Sequence, residues 1–482
     1  MNWSAAFWLV GLAILNACSS PADFRHSRPS GVAHDDPSRA GARTTTGCSA
    51  IATFADEKTP SQIRHVSESG SDSGGDGSAA RPFRTIARGV QRVAPGTAVY
   101  VHQGTHSGGM FLTDVHGTET QPIWIMGAPD EARPVIQGGG EALHLTRPRY
   151  VVLQDLEIVG ARDNGINIDD GGDVANPEAA RFVLFRDLDI HDTGTHPAGV
   201  ADCLKLAGVN DFFVLHSSFS RCGTGPESGA VGVGGVGVHR GTVSFNRFFA
   251  NGYGGAQFKG GSDDIEITSN LFHDTGSRAV NMGGSTGATF FRPPLSTSAL
   301  NYEAARIRVS ANIFEGSEAA AAFTGCVDCA FTHNTVVNPS KWVVRILQET
   351  VTNASYLFAP TANGLIAGNI FFFRRSDLNA GEDINVGINT DSRSFRLTHN
   401  LWFAHDEPAE SNPRITRFEG AHARSWMATS PGFTNPEAGD FHLSADSVPS
   451  GAGNVAFAPA RDFAGRCYAS PPSLGALEVA PG

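Results

Sequence analysis

Lysine is nearly absent from this chain: Lys58, Lys205, Lys259 and Lys341 are the only four of its 36 basic residues, and arginine supplies the rest. Positive charge as a whole is outweighed, giving a net charge of −12. With no basic cluster in view, a nucleic-acid partner held through its phosphates is excluded from the expected functions. The N-terminal apolar run, AAFWLVGLAIL over residues 5–15, is too short for a stable membrane span. Zinc or redox chemistry lacks support too. Cys326 and Cys329 form a CxxC, but no second close Cys or His pair accompanies it, and no thioredoxin-like βαβ pattern surrounds it. A structural disulfide or buried thiols is therefore expected there, and Cys203 and Cys222 lie close enough in sequence to pair as well. His191 and His196 lack a third ligand and read as turn histidines.

What is present points to export and to many turns. Residues 1–18 read as a signal peptide, and Leu15-Asn16-Ala17-Cys18 is similar to a bacterial lipoprotein signal, with Cys18 the lipidation site. The alternatives are an outer-membrane or cell-surface lipoprotein and a secreted or periplasmic protein. Residues 19–62, rich in Ser, Pro, Arg, Asp and Thr, read as a disordered tether. The 56 Gly and 26 Pro suit tight turns and few long helices. One helix is predicted over 83–93, where Phe83, Ile86, Ala87, Val90 and Val93 share a face and Pro95-Gly96 stops it. It would cap the first turn of whatever follows.

From there apolar residues alternate at period two in short runs broken by small polar turns, as in Ile265-Glu266-Ile267 and Ala279-Val280-Asn281-Met282. The cycle repeats: Asn246, Asn270, Asn312, Asn334, Asn369 and Asn400 each precede an apolar residue or pair. Ser217 and the segments DLEI (155–158) and DLDI (187–190) take comparable places. Such a cycle implies coils stacked on coils, with the asparagines in one structural column. Longer gaps between them imply loops inserted into the same coil.

The opening SGSDSGGDGSAARPFRTIARGVQRVAPGTAVYVHQGTH (69–106) and the exit PGFTNPEAGDFHLSADS (431–447) with LGALEV (474–479) resemble the right-handed parallel β-helix proteins of the pectate-lyase-like superfamily. The resemblance implies an all-β fold, a single-stranded right-handed parallel β-helix over residues 63–482 with a short N-terminal capping helix. Within it, 256–284 resembles the catalytic coils of chondroitinase B and related alginate lyases. There Lys259 matches the family's Lys, while the expected Arg falls near Gly283, leaving Arg278 as the substitute.

The runs before successive Gly turns, at 165–169, 203–207, 256–260, 279–283, 321–325 and 344–348, should stack into one sheet. Placing their apolar alternates inward leaves Asn167, Lys205, Gln257, Asn281 and Arg345 outward, with Asp169, Lys259, Asp202 and Arg278 nearby. Uronic-acid polysaccharides are cleaved by β-elimination, which needs the carboxylate neutralised, the adjacent proton removed and the leaving oxygen stabilised. Lys259, Lys205 and Arg278 are the catalytic candidates; Gln257, Asn281, Arg292, Arg345 and Tyr302 are the substrate-binding ones. The segment 285–303, with Phe290, Phe291, Arg292 and Tyr302, either walls this groove or folds back on the solenoid. Calcium-and-lysine pectate lyases offer a second resemblance, for which Asp169, Asp202 and Asp263, with Asp170 and Asp264, are candidate Ca²⁺ ligands; local backbone bonding in turns is the stronger explanation of such aspartates. The expected protein is a monomeric polysaccharide lyase acting on an acidic glycan and touching membrane only through a lipid anchor. The alternatives are a non-catalytic glycan-binding surface protein and a glycoside hydrolase.

Overall fold

The computed structural model describes residues 48, 50–194, 201–223, 229–378 and 381–479. The signal segment with Cys18, most of the tether, and His196 lie outside them. No helix among the described residues is long and apolar enough to cross a membrane.

The period-two runs become strands that stack in three parallel sheets, visited in turn once per coil. The sheets hold 15, 12 and 10 strands in the order the chain meets them. Neighbours in each sheet come from successive coils, as in Gln257 beside Asn281 and Phe272 beside Phe314. Alternate residues point into one continuous core running the length of the coil. Its second-sheet wall is a file of phenylalanines, Phe219, Phe248, Phe272 and Phe314, whose ring centroids are 5.2, 4.6 and 4.8 Å apart in order. That spacing is the strand spacing itself, so identical residues at one coil position stack face to face.

Between the first and second sheets stands the asparagine column. The backbone N–H and side-chain Nδ2 of Asn246 both donate to Oδ1 of Asn270, at 2.9 and 3.0 Å. The pattern repeats from Asn270 to Asn312, Asn334, Asn369 and Asn400. The second Nδ2 proton reaches a carbonyl below, such as Val243 O from Asn270. Ser217 continues the column downward, donating its N–H to Asn246 Oδ1 and accepting from the N–H of Leu188. The corresponding place in the earlier coils thus belongs to Leu188 and Leu156, one residue past the aspartates of DLDI and DLEI.

The ends differ in detail from the expectation. The N-terminal helix covers only Ile86–Val90, opened by Thr85, whose hydroxyl accepts from Arg88 N–H. Phe83 precedes it, paired with Val66, and Arg92 adopts a left-handed φ of 56° that ends it early. Phe83, Ile86 and Val90 are nonetheless buried over the first coil. Order also begins before residue 62. Cys48 is disulfide-bonded to Cys467, and Phe54 packs against Tyr150, Phe182 and Phe213 on the outside of the first sheet. A tether reaching to 62 is therefore too long, because these residues find apolar surface to cover. Cys203–Cys222 and Cys326–Cys329 are also disulfides. The closing segment runs back along the coil corners rather than stopping at the last coil: Gly475 N–H donates to Gly368 O, Ala476 N–H to Thr335 Oγ1, and Ser269 Oγ to Asp462 O.

Candidate functional site

The six runs singled out above do lie in one sheet, the third, together with four more strands, Met110–Thr113, Leu143–Thr146, Val231–Val236 and Ile384–Val386. Their register makes one outward column: Phe111, His144, Asn167, Lys205, Gly234, Gln257, Asn281, Ala322, Arg345, Asn385. A second column, two residues along, carries Asp169, Ala207, Val236 and Lys259. Sequence reasoning missed Phe111, His144, Gly234, Ala322 and Asn385, and of these Gly234 shapes the middle of the column. A Cβ there would lie 2.2 Å from Asp202 Oδ2, so its absence is what lets Asp202 reach across the column.

Lys205 Nζ pairs with that carboxylate at 2.9 Å, and Asp202 also accepts the N–H of Val231 through its other oxygen. Lys259, half-buried one column over, donates from Nζ to Ser285 O at 3.1 Å. Burial lowers its pKa below that of an ordinary lysine, and the Lys205 cation adds to the effect. The loop at 285 therefore meets Lys259 as expected of a wall. Gln257 donates from Nε2 to Gly283 O at 3.2 Å.

Gly283 also explains the break in the lyase resemblance. Its φ is 100°, and a Cβ would stand 1.8 Å from Thr324 O. No arginine fits there. Arg278, two residues before the strand Val280–Gly283, sits buried instead. Its Nη2 pairs with Glu349 at 2.8 Å and its guanidinium lies 5.9 Å from the Tyr253 ring, while Nε and Nη1 have no partner. Beside it Asn281 accepts from Thr324 Oγ1 at 2.7 Å and leaves Nδ2 unpaired. Arg345 stacks 4.1 Å over Trp342 and donates to Asn385 Oδ1 at 3.0 Å. Burial and then the Arg278 charge lower the pKa of Arg345, and burial raises that of Tyr253. Glu349, Tyr253 and Trp342 were not legible as site residues because each follows or precedes its strand in a turn.

Several candidates lie elsewhere. Arg292 is an internal strap: Nε and Nη2 bond both oxygens of buried Asp170, at 2.7 and 3.0 Å, across turn glycines Gly208 and Gly237. It has no free face for substrate. Neighbouring Phe291 is buried against Phe358, so the loop folds back as well as meeting Lys259; Phe290 stays exposed. Tyr302 and Asp263 lie around the turn on the first sheet. Tyr302 donates to Asp263 Oδ2 at 2.8 Å, and Asp263 also pairs with His239 and Arg306, which in turn holds Asp264. Burial, then the Asp263 charge, push the Tyr302 hydroxyl up to about 12. Asp169 pairs with His144 Nε2 at 2.6 Å. The candidate Ca²⁺ ligands Asp169, Asp202 and Asp263 thus each carry a basic partner and do not converge as an oxygen cage. Among the described residues, the group with metal-ligand geometry is instead Glu157, Asp189 and His191 on the second sheet.

The family model for a right-handed β-helix region matches residues 141–336. No curated protein matches the chain. Among solved structures, XylC in complex with xylose is 11% identical, covering 87% of this chain and 98% of its own, with a TM-score of 0.51. Pectate lyase Pel9A is 15% identical over 88% and 98%, with a TM-score of 0.44. An alginate lyase from Paenibacillus sp. str. FPU-7 is 16% identical over 68% and 99%, with a TM-score of 0.44. The likeness to XylC reaches the fold and stops there. Three parallel sheets climbed in turn, an asparagine column at one corner and the family match through the central coils lead to one conclusion: the chain folds as a right-handed parallel β-helix.

Proposed function

We propose that the protein is an exported polysaccharide lyase that cleaves an acidic glycan by β-elimination on the outer face of the third sheet. The observation that carries this reading is Lys259, a half-buried amine whose proton is loosened by burial and by Lys205, on the strand next to the one that follows Arg278 and carries Asn281, both of which keep donors without a partner. A general base must be neutral before it can accept a proton, and a lowered pKa increases that fraction near neutral pH. In the reaction, Lys259 takes the proton from the carbon bearing the carboxylate. The electron pair forms the ring double bond, and the bond to the glycosidic oxygen breaks, the departing oxygen taking a proton from water. Lys205 neutralises the carboxylate on that carbon, while Arg278, through Nε and Nη1, and Asn281 Nδ2, toward the other end of the strand and with Arg345 adding positive charge, hold a neighbouring uronate. Lys205 supplies the cation nearest Lys259. Three disulfides suit an exported protein.

A binding protein without catalysis is the second reading, favoured by the hydrogen bond that engages the Lys259 amine with Ser285 O. Incubation with alginate, pectin and glycosaminoglycans, followed by unsaturated-uronate absorbance, separates the two. The lyase reading expects absorbance with at least one polymer, reduced at least about a thousandfold by Lys259→Met, a loss in the range of general-base removal. Binding without absorbance supports the second reading, and undiminished activity in the variant removes Lys259 from the mechanism.

A further inference from the structure

The same outward column changes character toward the N-terminal coils. Lys205 is its last cation in that direction; beyond Asn167 come His144 and then Phe111. Phe111 is 66% exposed, an unusual state for a large apolar residue on a built surface. Its ring leans on His144 with centroids 3.9 Å apart. His144 is itself fixed: Nε2 lies 2.6 Å from Asp169 Oδ2 and Nδ1 lies 2.6 Å from Glu141 Oε2. Glu141 is held in turn by the side-chain amides of Asn164 and Asn167, at 3.0 and 2.8 Å. Thus the exposed ring has a rigid base, and the base is locked by a network of buried and half-buried polar groups.

Phe111 stands as a ridge between two clefts. One, of about 520 Å³, presents Glu141, His144, Asp163 and Asn164. The other, of about 490 Å³, lies between the ring and the capping helix, with Arg88, Arg92 and Asp114 at its edges. The first cleft is lined by the carboxylates of Glu141 and Asp163, with Arg162 Nη2 near Gly140. Oxygen acceptors around an exposed aromatic ring suit hydroxyl donors set about an apolar C–H face, which is the surface of a sugar. The carboxylates repel a uronate.

We propose that the Phe111 cleft is a subsite for an uncharged sugar residue. Its consequence, which rests on the lyase reading above, is that the glycan is a heteropolymer. Its uronates lie over Lys259 and toward Arg278, and its neutral residues extend toward Phe111, three coil steps or about 14 Å from Lys205 at ordinary strand spacing.

Isothermal titration of cellotetraose, chitotetraose and tetragalacturonate tests this, with Lys259→Met as the parent to prevent turnover. The parent should bind at least one neutral tetrasaccharide. Adding Phe111→Ala should weaken that binding at least tenfold, Phe111→Trp should retain it, and tetragalacturonate affinity should stay within twofold in both. Failure of both neutral probes to bind the parent, or equal binding by Phe111→Ala, overturns the subsite. Phe111-dependent binding of a neutral probe, with no uronate bound or cleaved by the wild-type protein, keeps the subsite and overturns the lyase reading alone.

Discussion

Two polar files climb this solenoid side by side, and they are paired in opposite ways. At the corner between the first and second sheets, the asparagine column closes on itself, each Oδ1 from Asn270 to Asn400 receiving two protons from the coil below and each Nδ2 finding an acceptor. On the third sheet, Arg278 keeps Nε and Nη1 unpaired and Asn281 keeps Nδ2 unpaired, though both residues are buried. Buried polar groups without partners cost stability unless a water or a ligand supplies the missing acceptor. Between these two files it is pairing that differs, since both are polar.

The comparison yields ordered consequences. The largest is the loss of elimination in Lys259→Met, with thermal unfolding shifted by no more than about 2 °C, because a half-buried amine adds little to the core. Asn312→Ala should do the reverse. It strips the acceptor from the backbone N–H and the Nδ2 of Asn270, and urea unfolding should show a loss of about 3 kcal/mol. Comparable stability effects at both positions would erase the distinction between the two files.

Acid and base should also act on different files. His333, fully buried just before Asn334, has its pKa pushed down to about 4 by burial. Between that value and 6.5 the unfolded chain binds the proton that the folded chain refuses, so stability falls as pH drops through this window, by up to about 3 kcal/mol. His333→Leu should flatten the dependence; an unchanged slope would assign it to other groups. On the third sheet the sign favours base. Lys259 has a lowered pKa, so the unfolded chain holds its proton more tightly between that lowered value and 10.5, and stability from this group rises with pH there. The elimination rate should climb over the same range, beginning below the pH at which a free lysine loses its proton. A rate that is flat or falling there would exclude Lys259 as the base.

Most of the architecture was legible because period-two alternation and asparagine spacing both follow from coil geometry. The outward file of Asn167, Lys205, Gln257, Asn281 and Arg345 followed from the same rule. What escaped were contacts between distant positions. Arg292 meets Asp170, 122 residues away, and Cys48 meets Cys467 across 419, and no local pattern encodes either. Tyr302 and Asp263 were misplaced because insertion length does not say on which side of a turn a loop lands. Gly234 carries no polar signal, and Phe111 looks like an ordinary strand residue until its exposure is seen.

The central claim is that the unpaired donors of the third sheet await a carboxylate. Its most direct measurement is the affinity of a uronate tetrasaccharide from the polymer that is cleaved, compared between Lys259→Met and Lys259→Met with Arg278→Ala. The account predicts at least a tenfold weaker complex in the double variant, about 1.4 kcal/mol, with the same unfolding midpoint to within a few degrees. Equal affinity in the two proteins would contradict it.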